Sequence, residues 1–157
     1  MFTWNALYGA AEILLCGALA AIPLNAQSKK IQAQNLVQVT AHNHSEIASL
    51  EISAIPEGQK QCVTIAATEA KDVGEKCDAD EETALKTQEP FVEQEADGFD
   101  VTAPLHDAKG KLIGTVGIDF KPQQGQTKKE IVEQTDKLLK EIEPQIPSKA
   151  FLFQSAS

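Results

Sequence analysis

"VTAPLHDAKGKLIGTVGIDFK", Val101–Lys121, is the stretch whose reading decides the fold. It reads as two strands folded back about a turn at Asp107–Gly110, "DAKG". If His106 pairs with Lys111, then Phe99, Val101, Ala103 and Leu105 share a face with Leu112, Gly114, Val116, Ile118 and Phe120. Successive side chains on a strand point to opposite sides, so a slip of one residue would destroy that agreement. The apolar face is therefore predicted to be core. The other flank carries Asp100, Thr102, Pro104, His106, Lys111, Ile113, Thr115, Gly117 and Asp119, and it faces either water or a bound molecule.

Upstream, "SLEISAIPEG" (Ser49–Gly58) predicts a strand ended by Pro56, and "QCVTIAATE" (Gln61–Glu69) a second strand that makes a hairpin with it. Ala70–Gln88 is polar, with helix formers from Asp80 to Lys86, and reads as one or two short helices. "PFVEQEA" (Pro90–Ala96) resumes as a strand before a turn at Asp97-Gly98. From Ser28 to about His44, residues Ile31, Leu36, Val37, Thr40, Ala41 and His44 fall near helical spacing. Downstream, Thr127 and Glu130 form a capping-box pattern. Ile131, Val132, Thr135, Leu138, Leu139 and Ile142 follow as one helical stripe. Glu133–Lys137 and Asp136–Lys140 are spaced as i,i+4 pairs on its wet side, and Pro144 and Pro147 end the helix. The tail Ala150–Phe153 is too short to assign. The order helix, two strands, short helices, three strands, helix argues an antiparallel α+β domain with helices on the apolar face.

The chain's 157 residues suit one domain. Residues 1–26 differ from the rest. Ala6–Ile22 is apolar except for Glu12, and "LNA" ending at Ala26 reads as a cleavage site, the layout of a secretory signal peptide. An uncleaved anchor is the alternative, although the run is shorter than the ~20 apolar residues a spanning helix needs. The domain is then 27–157, secreted or periplasmic, or held to the membrane by the N-terminal segment. Losing Glu12 moves the net charge from −9 to −8. So acidic a surface repels polyanions, and no nucleic-acid partner is expected. Every basic residue is Lys, and the only Trp and Tyr, Trp4 and Tyr8, lie in the segment to be removed. Cys16 leaves with it, so Cys62 and Cys77 remain, either as a disulfide or as two separate thiols.

"EPFVEQEADGFDVTAPLHDAKGKLIGTVGIDFK" (Glu89–Lys121) resembles the later half of a PDC-type extracellular sensor domain, the PAS-like family also called Cache. Pro104, Asp107, Gly110, Lys111, Ile113 and Gly114 match its hairpin motif, and Ile65–Lys76 is similar to its strand-to-helix segment. The resemblance implies an antiparallel sheet of about five strands, with a long N-terminal helix and a C-terminal amphipathic helix. It also implies small-metabolite binding on the face away from the long helix. Asp119 then stands where amino-acid-sensing relatives place a carboxylate for the ligand's ammonium group. Asp100, Thr102 and Thr115 would surround it. The Arg, Trp and Tyr that hold a ligand carboxylate in those relatives have no counterpart here.

Other chemistries find less support. His42 and His44 are two apart, which on a helix turns them away from each other, and nothing in the sequence brings His106 to them, so no metal site is expected. There is no nucleophile elbow, phosphate loop or zinc-protease motif, so neither an enzyme nor a cofactor is expected. Two readings remain. The first is a sensor-like domain binding a small, amine-bearing metabolite. The alternative is an interaction module, including a homodimer through the N-terminal helix. A buried Asp119 would favour the first, and an exposed Leu36/Val37 stripe the second.

Overall fold

The computed structural model describes residues 30–96 and 98–156. The expected signal segment, including Cys16, lies outside them, as does Asp97 of the expected turn. In chain order the elements are α1 (Gln32–Asn43), β1 (Ile47–Ala54), β2 (Val63–Ala67), α2 (Ala79–Thr87), β3 (Phe91–Glu95), β4 (Gly98–His106), β5 (Leu112–Phe120) and α3 (Lys128–Ile142). A 3-10 turn (Glu143–Gln145) and the short α4 (Lys149–Leu152) follow. The strands form one five-stranded sheet in the order β2-β1-β5-β4-β3, with every neighbouring pair antiparallel.

One face of the sheet is the core. Leu50 and Ile52 of β1, Val116, Ile118 and Phe120 of β5, and Val101, Ala103 and Leu105 of β4 are all buried there. α1 lies against β1 and β2 through Ala33, Leu36, Val37 and Thr40, and α3 lies against β3 and β4. α3 buries Ile131, Thr135, Leu138 and Ile142, with Val132 and Leu139 at the margin. Its start is the capping box expected from sequence: Thr127 Oγ1 accepts from the Glu130 N–H, and Glu130 Oε2 accepts from the Thr127 N–H at 2.8 Å. On its outer side Glu133 meets Lys129 at 3.8 Å. Leu152 is fully buried, and α4 packs on α1, where Ala156 donates to the Lys30 carbonyl at 2.7 Å.

The opening hairpin has the expected faces but not the expected register. Leu105 pairs with Gly114, and His106 with Leu112 rather than Lys111. From Gly114 onward β5 is thus displaced by two residues, which leaves those side chains on their assigned faces because the strand repeat is two, while the irregularity between Leu105 and His106 shifts the pairing at Leu112 by one. The extra length goes into the turn. Asp107 Oδ1 accepts from the N–H groups of Lys109 (2.9 Å) and Lys111 (3.0 Å), and the Asp107 N–H donates to the Lys111 carbonyl. Gly114 is where β5 approaches β1, since a Cβ there would collide with the Ser53 carbonyl.

The face away from α1 and α3 is covered by α2 at one end only. α2 packs on β4 and β5 and buries Ala84 and Glu81. It begins at Cys77–Asp78, and Cys77 is disulfide-bonded to Cys62 just before β2.

Candidate functional site

The uncovered end of the polar face is built from one row of paired strand positions. Glu93 of β3 is opposite Asp100 of β4, Asp100 is opposite Asp119 of β5, and Asp119 is opposite Ser49 of β1. Three carboxylates thus stand side by side on adjacent strands. Like charges directly opposite one another destabilise a sheet. Asp119 is exposed and accepts a hydrogen bond from Ser49 Oγ, and Asp100 is half-buried. A cavity of about 320 Å³ opens at the strand ends beside the row, with Asp119, Glu95 and Phe99 in its lining.

Glu51 adds a fourth carboxylate, and a glycine explains its position. β1 pairs with β5 so that Glu51 faces Gly117, and a Cβ at Gly117 would lie 2.8 Å from Glu51 Cγ and Oε1. The missing side chain lets Glu51 fold over β5 toward the row. Burial, reinforced by repulsion from Glu81, Asp72, Asp100 and Asp119, pushes its carboxyl up to about 7. Burial again, then repulsion from Asp119, Glu95, Asp80 and Asp78, pushes Asp100 up to about 6. Among the described residues no side-chain hydrogen bond or ion pair engages Glu51 or Asp100.

The four residues expected to form a binding site do not stand together in the open. Asp100 and Asp119 are neighbours at the uncovered end. Thr115 is wholly buried under α2, where its hydroxyl lies 3.5 Å from Glu81 Oε1, and Thr102 is buried opposite Gly117 and Phe91. Asp119 is exposed, and Leu36 and Val37 belong to the core, so neither feature has the form that would decide between a ligand and an interface. Glu51 and Glu93 were not singled out from sequence, and Glu81, which reads there as part of a solvated acidic face, is buried on α2. Glu51 reads there as an ordinary outward residue of an alternating strand, and only the strand order places it across Gly117.

The histidines are occupied elsewhere. His44 Nδ1 lies 3.0 Å from Glu46 Oε1, and its Nε2 lies 3.0 Å from Glu141 Oε2 of α3. The His106 Nδ1 and N–H both lie 2.9 Å from Glu143 Oε1. His42 is exposed on α1. Among the described residues no three His, Cys, Asp or Glu side chains converge in a way that could hold a metal ion.

No family model matches the chain, and no curated protein does. Solved structures do match it. A protein described as a GAF sensor from Burkholderia vietnamiensis superposes with a TM-score of 0.50 at 16% identity, over 75% of this chain and 76% of that one. The GAF domain of an Acinetobacter phosphoenolpyruvate-protein phosphotransferase gives 0.50 at 13%, over 71% and 77%. The reduced form of fRMsr from Staphylococcus aureus gives 0.50 at 15%, over 72% and 80%. At such identities the likeness is one of fold, an α+β domain of the GAF/PAS-like kind. The antiparallel α+β sheet with flanking helices expected from sequence is therefore correct, and two of these matched structures are described as GAF proteins. A shared fold does not carry a shared activity, so these matches do not separate binding from catalysis.

Proposed function

We propose that the chain is a sensor-like domain that binds a small organic cation across the carboxylate row of its polar face and carries out no catalytic step. One observation carries this reading. Glu51 lies half-buried over Gly117 without a partner, beside Asp100 and Asp119, so the fold maintains a cluster of negative charge that destabilises it when empty. A cation in the row would relieve that repulsion. The carboxylates are spread along the row about 4.8 Å apart, one strand spacing, rather than converging on a point. That suits an elongated amine with more than one ammonium group better than a metal ion.

The motif of Glu89–Lys121 supports a Cache-type sensor within this fold class. The apolar segment 6–22 and the bonded Cys62–Cys77 support a secreted or periplasmic location, where disulfides persist. The test is a thermal-shift titration with spermidine, putrescine, butylamine and magnesium chloride at matched ionic strength. A ligand at 100 times its Kd adds about 2.7 kcal/mol of stability. Spermidine should raise Tm, and Asp100→Asn and Asp119→Asn should each reduce the effect. Equal shifts from spermidine and from sodium chloride, or shifts that ignore both substitutions, would reduce the row to a screened surface.

A second reading, a homodimer through α1, is favoured by Val39, which is 50% exposed on that helix. Sedimentation of the wild type beside Val39→Asp decides it: a dimer broken by the substitution supports it, and a monomer in both removes it.

A further inference from the structure

A second concave region lies beside Leu85 of α2, with none of the row's carboxylates in its wall. A cavity of about 260 Å³ has Ile55, Leu85, Leu112 and Ile113 in its wall, and Lys111 and Lys149 beside them. It adjoins a larger one of about 510 Å³, with which it shares Ile55, Leu85 and Cys62 of the disulfide. Ile55, Leu85 and Leu112 are each only half-buried, although aliphatic residues of the core face are closed from water. Lys149 is also half-buried, and among the described residues no carboxylate pairs with it. No Asp or Glu lines the smaller cavity, and the larger adds Lys60 and Lys86 against the single carboxylate of Glu82. In a chain of net charge −9, this corner is locally cationic and apolar together.

We infer that this groove is a binding site for an amphiphilic monoanion, distinct from the carboxylate row. The aliphatic walls take the apolar body, and the ammonium groups of Lys111 and Lys149 take the carboxylate. Small-molecule sites have this composition: a mostly apolar hollow with a few polar groups that fix orientation. An ammonium ion is a point charge without the fork of Arg, so the site selects for negative charge and an apolar body rather than for a particular planar group. The charge of the groove makes an anion the occupant, and its concavity makes that occupant a small molecule.

Calorimetric titration of the purified full chain at pH 8 with octanoate, hexanoate, octan-1-ol and octylammonium tests the assignment. Octanoate should bind at least tenfold more tightly than octan-1-ol, and octylammonium should not compete with it. Each methylene removed should weaken binding about fourfold, so hexanoate binds more than tenfold less tightly. The double substitution Lys111→Gln, Lys149→Gln should cost octanoate tenfold or more and leave octan-1-ol unchanged. Asp119→Asn should leave octanoate binding intact, which separates this site from the row. Equal affinities for octanoate and octan-1-ol, indifference to the two lysine substitutions, or no binding at millimolar octanoate would each overturn it.

Discussion

Glu51 owes its perturbed ionisation to the side chain that Gly117 lacks. Its folded-state carboxyl is raised from 4.5 to about 7, so the ionised form is disfavoured by folding. The native state therefore binds the extra proton between those values, and stability falls as pH rises from about 4.5 through about 7. Glu51→Gln removes that term. At pH 8 it should raise stability by about 1–2 kcal/mol after screening by water, and the gain should vanish by pH 4.5, as urea titrations at the two pH values would show. His44 works with the same sign by another route. Burial opposes its charge, but hydrogen bonds and attraction from Glu46 and Glu141 outweigh that and hold its pKa above 6.5. Its contribution is complete below that value and is lost as pH rises past the folded pKa. His44→Gln should cost about 1 kcal/mol at pH 5.5 and less at pH 8.5, measured by the same titration. Glu51 was not legible as a site residue. Glu51 sits in "LEIS", whose alternation announces only that it points away from the core.

The elements differ in how much of themselves they write into the sequence. α3 is legible in its cap and its stripe, which are local patterns, but not in its wet-side pairing, where Glu133 meets Lys129 rather than Lys137. Thr127→Ala should cost about 1 kcal/mol, read as a lower Tm with the helical signal retained. The β4–β5 hairpin is legible in its faces but not in its register, since a displacement of two residues preserves the alternation and only the Asp107 turn fixes the count. α2 was legible as a short helix but not in its placement. It buries a single Ala and a single Glu, too weak a stripe to tell which face of the sheet it covers, and so Thr102 and Thr115 read as open. The Cys62–Cys77 bond closes a sequence separation of 15 residues, which the chain-entropy model values at about 3 kcal/mol. The double substitution Cys62→Ser, Cys77→Ser should lower stability by about that amount in denaturant titration under non-reducing buffer. The wild type should match it once reduced.

At the scale of the whole molecule, the separation of charge is the main feature. The carboxylate row and the lysine-rimmed groove share no lining residue, so one small domain presents two fields of opposite sign. Because Glu51 and Asp100 must lose their protons to attract a cation, spermidine should bind more weakly as pH falls from 8 to 5.5, while its own ammonium groups stay charged. Calorimetry at the two pH values checks this, and a pH-independent affinity would place the amine elsewhere. The sheet order was not legible in the sequence, because the pairing of β1 with β5 joins segments that no local pattern connects.

The outer edge of β2 carries one more consequence. Its backbone is not left bare: Thr64 exchanges hydrogen bonds with Gly74 and Glu75, the Cys77 N–H reaches the Cys62 carbonyl, and the Gln34 side chain bonds both the N–H and the carbonyl of Ala67. The segment that covers this edge is held down at one end by the disulfide. Once that tether is cut, the strand offers unpaired donors and acceptors to any neighbouring chain. Reduction should therefore raise the tendency of copies to associate edge to edge, beyond any loss of stability.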